Sequence, residues 1–162
     1  MINTDYFKNK NVVVAGIARS GLACANLLYD LGANVSVTDS RKDERVIFNI
    51  KRLKSRDIKF EIGGHSRKFI GGNDILVLSP GISMDSEAVN FAREFNISVM
   101  SEIEVAWMVC PATVIAVTGS NGKTTVTTLI GTVIESLGKK AFICGNIGKP
   151  YSSEVARMEK ED

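Results

Sequence analysis

Short runs of β-branched and other apolar residues alternate along the chain with longer stretches whose apolar positions recur every three or four residues. "NVVVAGI" (11–17), "NVSVTD" (34–39), "DILVLS" (74–79) and "TVIAVTG" (113–119) have the length and composition of strands buried on both faces. "SGLACANLLYDLG" (20–32) and "KTTVTTLIGTVIESLG" (123–138) carry the helical period, with Gly32 and Gly138 placed to end them in left-handed caps. Weaker patterns predict strands at 58–62, 97–100 and 140–144 and helices at 43–54, 86–95 and 102–109. Regular alternation of this kind predicts an α/β fold with an open parallel sheet, which binds ligands beyond the carboxyl ends of its strands.

Pro111 separates a first unit from a new strand, loop and helix, so the pattern predicts two domains. Residues 1–110 form a Rossmann-like domain, and residues 111–162 begin a P-loop α/β ATPase domain. The second stretch offers about two strands and two helices, too few to bury both faces of a parallel sheet. It is therefore expected to be loosely ordered, to lie against the first domain or to pair with another chain.

Composition narrows the function classes. A hydrophobic content of 44% supplies a core, and a formal charge of +2 with dispersed lysines and arginines gives no basic stripe for nucleic acid. The amino terminus lacks the apolar core of a signal peptide, and no apolar run reaches the roughly eighteen residues that span a bilayer. A cytoplasmic protein without membrane insertion is expected. Cys24, Cys110 and Cys144 form no CxxC and read as free thiols. His65 is the single histidine, which disfavours a metal cluster or a Ser-His-Asp arrangement and reads as a surface-loop residue. The charged end "RMEKED" reads as a solvated helix end or tail.

Two glycine loops carry the candidate chemistry. In "TGSNGKTT", Gly119 and Gly122 let the backbone approach an anion, and Ser120, Asn121, Lys123, Thr124 and Thr125 surround the opening of a helix. Successive N–H groups and the helix dipole face a phosphate there, Lys123 adds a mobile positive charge, and the Thr124 hydroxyl suits Mg²⁺. The general P-loop pattern asks for glycine at 117, where this chain has Val117. A second acidic Mg²⁺ ligand at a strand end is not found after the loop.

The amino-terminal loop runs Gly16-Ile17-Ala18-Arg19-Ser20-Gly21, a dinucleotide fingerprint with alanine in the middle position. It follows a strand and opens a helix, and a second strand ends at Asp39 about twenty residues on, where a ribose-binding acid is expected. Arg19 and Ser20 stand at the helix start. Asp39, Ser40 and Arg41 together suit either a ribose or a base edge, because they supply both acceptors and donors. Ser79, Pro80 and Gly81 end another strand with a sharp turn and face the same cleft. These residues alone leave a nicotinamide-dependent oxidoreductase and a non-catalytic nucleotide-binding module open.

Taken together and in order, "GIARSGLACANLL", "TDSR", "LSPGI", "TGSNGKTTVTTLIG" and "GNIGKP" resemble the amino-terminal portion of a Mur ligase, and the similarity covers essentially the whole chain. The first-domain loops are most similar to those of the family's D-glutamate-adding branch, with a sibling for another amino acid as the alternative. The resemblance implies an ATP-dependent amide ligase of peptidoglycan synthesis that joins D-glutamate to UDP-N-acetylmuramoyl-L-alanine through an acyl phosphate. It implies that Arg19, Ser20, Asp39, Ser40, Arg41, Ser79, Pro80, Gly81 and Asn146 serve the UDP substrate. It further implies that Gly119 to Thr125 hold ATP, with Lys123 catalytic on the β/γ oxygens and Thr124 on Mg²⁺. The family's phosphate loop also lacks the first P-loop glycine, so Val117 is as expected. The family's "ELSSFQ"-like segment with its Mg²⁺ glutamate, its modified lysine and its third domain have no counterpart in this sequence. The chain as given is therefore expected not to complete the reaction alone; the family enzyme is expected to be a monomer, and this chain to self-associate.

Overall fold

The computed structural model describes residues 4–146 and 148–162. Five strands form one open sheet: β1 (Asn11–Ala15), β2 (Asn34–Asp39), β3 (Lys59–Ile62), β4 (Ile75–Leu78) and β5 (Ser98–Ser101). All pairings are parallel, in the order β3-β2-β1-β4-β5. The chain runs outward from β1 in one direction, then returns to β1 and runs the other way. The order therefore reverses between β1 and β4, where an open α/β sheet has its binding crevice.

The valine-rich strands are central because both of their faces are covered. Val12, Val14, Val35, Val37, Ile75 and Val77 point to one side, under α1 (Arg19–Asp30) and α5 (Glu102–Val109). Val13, Ala15, Leu76 and Leu78 point to the other, against Ile70 of α3 (Arg67–Ile70) and Ala88, Val89 and Ala92 of α4 (Glu87–Glu94). Each such burial contributes about 1.5–3 kcal/mol, so a two-sided apolar strand is stable only in the middle of such a stack. β3 is an edge strand, and its Phe60 is exposed.

Helix starts are set by short polar side chains. Asp43 caps α2 (Glu44–Ile50) by accepting from Val46 N–H at 2.9 Å, and Ser66 caps α3 by accepting from Phe69 N–H at 3.2 Å. Ser101 and Glu104 form a reciprocal capping box on α5. Gly32 and Gly138 do follow the carboxyl ends of α1 and α6 (Lys123–Ser136) in left-handed conformations, φ 76° in both.

Two expected strands are absent among the described residues. Residues 113–119 are irregular, and Val114 and Ile115 are exposed. Residues 140–144 make a single bridge, Cys144 with Lys149. A strand is held by its neighbours' hydrogen bonds, and neither segment finds a partner ladder in the five-stranded sheet. For the same reason α6 has no sheet beneath it, and Val126, Leu129, Val133 and Leu137 lie 45–73% exposed. Among the described residues of 113–162 no sheet is formed; a glycine loop opening a helix is present.

The end of the chain instead joins the first unit. The short helix α7 (Tyr151–Glu154) lies on α1 and α5, burying Tyr151 and Val155. Its Ser152 N–H donates at 2.8 Å to Oε1 of Glu102, a carboxylate only 2% exposed. Of the charged end, Arg157, Glu159, Lys160 and Glu161 are exposed, as expected, and Asp162 pairs with Lys140 at 3.6 Å.

Candidate functional site: the crevice between β1 and β4

The loop after β1 is fixed from three sides. Ser79, which follows β4, donates from Oγ to the Gly16 carbonyl at 2.7 Å and is buried. Asp39, at the end of β2, accepts from Ile17 N–H at 2.9 Å. Asn49, on α2, donates from Nδ2 to the Ile17 carbonyl at 2.8 Å. The carboxyl ends of β1, β2 and β4 are thus stitched together at the point where the strand order reverses.

Gly21 explains the third position of the fingerprint. A Cβ there would fall 1.8 Å from the Gly16 carbonyl oxygen and 2.4 Å from Ser79 Oγ, so helix and loop approach this closely only without a side chain. The middle position needs no glycine. Ala18 has φ −72° and ψ −168°, extended backbone open to any residue, and it is exposed.

Arg19 and Ser20 are the first residues of α1, whose amino terminus carries no side-chain cap. Its first N–H groups are left for an anion. Asp39 is 3% exposed, and its two oxygens also accept from Arg41: Oδ1 from the backbone N–H at 2.9 Å and from Nε at 3.3 Å, Oδ2 from a terminal guanidinium nitrogen at 3.4 Å. Burial alone would push this carboxyl up. The hydrogen bonds from the Arg41 side chain and from the Ile17 and Arg41 N–H groups outweigh it and hold the group below its ordinary range. Ser40, Arg41, Pro80 and Gly81 are exposed on the rim.

His65 lies in the loop after β3, as expected of a surface-loop residue, and has a partner there. It is half-buried, with Nδ1 2.8 Å from Oγ1 of the fully buried Thr38, which also donates to the Gly64 carbonyl at 3.2 Å. Asn49 is the residue here that sequence reasoning did not single out. The signal for Asn49 is slight: it lies three residues after the buried Val46, where a polar residue interrupts the inward stripe of α2.

The second loop lies elsewhere. Gly122, φ 75°, caps α6 in the left-handed conformation that its lack of Cβ allows, and no side chain caps the helix. Lys123 Nζ donates to the carbonyl oxygens of Gly119 and, at 3.3 Å, Ser120. Ser120, Asn121, Thr124 and Thr125 are exposed. Lys123 and Thr124 line a cavity of about 920 Å³ with Asn146, Thr127, Cys144 and Tyr151. Asn146 is thus placed with the second loop, not with Arg19, Asp39 and Ser79.

Strand order, glycine turn and uncapped helix together define a Rossmann-like domain. The family model described as "Mur ligase MurD-like, N-terminal domain" matches residues 10–101, and the chain belongs to the Mur ligase family. Proteins named UDP-N-acetylmuramoylalanine–D-glutamate ligase are similar over nearly all of it. Those of Thermoanaerobacter sp. (strain X514) and Koribacter versatilis are 37% and 40% identical over 155 residues, 96% of this chain. The chain spans about a third of the length of these relatives, 34% in both. Among solved structures, a pseudomurein peptide ligase type C from Methanothermus fervidus aligns with TM-score 0.53 and 26% identity, covering 80% of this chain and 27% of that one. A UDP-N-acetylmuramate-alanine ligase from Thermotoga maritima shares the fold at TM-score 0.53 and 21% identity, covering 80% and 30%. No helix of the described residues is long and apolar enough to cross a membrane.

Proposed function

We propose that this chain carries the nucleotide-sugar-binding part of a cytoplasmic, ATP-dependent amide ligase that adds D-glutamate to UDP-N-acetylmuramoyl-L-alanine in peptidoglycan synthesis. The observation that carries it is the braced loop at the switch point, in a chain whose relatives bear that ligase name. In this reading residues 1–110 receive the UDP end. The diphosphate lies at the start of α1 by Arg19 and Ser20, with uracil and ribose toward Asp39, Ser40 and Arg41, and Ser79, Pro80 and Gly81 form the opposite wall.

Residues 111–162 contribute the phosphate loop. The uncapped start of α6, the Lys123 ammonium already gathered onto loop carbonyls and the exposed Thr124 hydroxyl fit a triphosphate with its metal. Gly119 to Thr125 would hold ATP and Thr124 would ligate Mg²⁺. Bound together, these supply an activated phosphoryl group with its charge screened. Lys123 would neutralise the β/γ oxygens as the substrate carboxylate approaches, and Asn146 would face the sugar-peptide end of the substrate from the same cavity.

Titration calorimetry with UDP tests the first half of this reading. A saturable heat with the isolated chain, and none with NADH, is expected. Binding of NADH with a change in nicotinamide fluorescence, and no UDP heat, would replace the ligase reading with a dehydrogenase one.

A further inference from the structure

Ile17 is held at both of its backbone polar groups by the β2–α2 unit, and the two holds differ in consequence. A peptide group is planar and trans, so fixing its carbonyl also fixes the direction of the N–H on its far side. In the peptide between Gly16 and Ile17 both ends are engaged, the carbonyl by Ser79 at 2.7 Å and the N–H by Asp39 at 2.9 Å. In the next peptide the Ile17 carbonyl accepts from Asn49 at 2.8 Å, and no described residue accepts from the Ala18 N–H on its other side. Ala18 is the residue that precedes α1, whose first N–H groups are uncapped.

We infer that Asn49 is a positioning residue for phosphate recognition: by holding the Ile17 carbonyl toward α2 it turns the Ala18 N–H away from α2, into line with the free N–H groups at the start of α1. The inference rests on the nucleotide reading above and adds to it a residue from a helix that supplies no direct contact. The residue type matters. Nδ2 is a donor, and the isosteric replacement Asn49→Asp would set a carboxylate against a carbonyl oxygen, reversing the interaction without changing the volume. Asp39 and Ser79 hold the preceding peptide in the same way, so they act on the ligand through the loop as well as at the crevice wall.

Asn49→Ala and Asn49→Asp, compared with the unaltered chain, test this by UDP calorimetry, thermal melting and ¹H–¹⁵N spectra. The unaltered chain should show UDP-induced shifts at Ala18, Arg19 and Ser20 and at Ser40 and Arg41. In both variants the affinity should fall about tenfold, the size of one lost hydrogen bond at the upper end of its range. Their Ala18–Ser20 shifts should shrink while the Ser40 and Arg41 shifts persist and melting stays cooperative. If Asn49→Ala fails to fold, Asn49→Asp decides in the same way. Unaltered affinity and unaltered Ala18 shifts in a folded variant overturn the role of Asn49 and leave the nucleotide reading standing. Absence of UDP binding by the unaltered chain overturns the reading itself, and the role with it.

Discussion

The Ser79 hydroxyl and the Gly16 carbonyl, 63 positions apart, meet at 2.7 Å in a buried bond that closes the crevice between β4 and β1. Ser79→Ala should leave that carbonyl without its partner and destabilise the fold by about 1–2 kcal/mol. Gly21→Ala should cost more, because its Cβ cannot be placed without moving the loop backbone. Chemical denaturation of both variants gives the order directly, and equal losses would show that helix and loop separate easily.

Asp39 predicts an acid dependence. Its folded carboxyl is held below the ordinary value of 3.8, so its bonds stabilise fully above that value and are lost as pH falls through the lower folded one. Melting temperature between pH 7 and pH 3 should fall less steeply in Asp39→Asn than in the unaltered chain. At neutral pH the variant should already be weaker by about 1–3 kcal/mol, since Arg41 loses its charged partner and Oδ2 or Oδ1 is replaced by a donor.

Glu102 joins the end of the chain to the sheet domain through one buried bond to Ser152. Glu102→Ala strands that N–H at a cost of about 1–3 kcal/mol and should open residues 150–158 to limited proteolysis before the rest melts. Glu102→Gln keeps an acceptor oxygen and should show a smaller effect. The same digestion rate in all three proteins would mean that Tyr151 and Val155 alone hold the segment.

Lys123 is partnered by its own loop, so Lys123→Met should leave stability within about 0.5 kcal/mol. In the unaltered chain Mg-ATP should slow hydrogen exchange across Gly119 to Thr125; in the variant it should not. Protection in both would place the nucleotide elsewhere.

The outward face of α6 predicts self-association. Sedimentation velocity should show mass rising with concentration, and Leu129→Glu with Val133→Lys should lower it. Stability should change by no more than about 0.5 kcal/mol, because both positions are exposed.

The sheet domain was readable because two-sided apolar strands and short polar caps are local signals: 34–39 and 102–109 form the elements their patterns predict over those same residues. The segment "TVIAVTG" carries an equally strong strand pattern and forms none, since a parallel strand exists only beside another strand. The fingerprint located the crevice, yet it said nothing of Asn49, whose partner lies 32 positions away and is a backbone atom. The bond of His65 to Thr38 was illegible for a similar reason: it follows from how the loop after β3 folds over β2.

Ala18 carries a further consequence. With ordinary backbone angles and an exposed side chain, its identity is unconstrained by conformation, whereas a Cβ at Gly21 nearby would collide with the loop backbone. Side chains of different size and charge should therefore be exchangeable at 18 with the scaffold unchanged, so the surface chemistry of the turn can vary there independently of its fold.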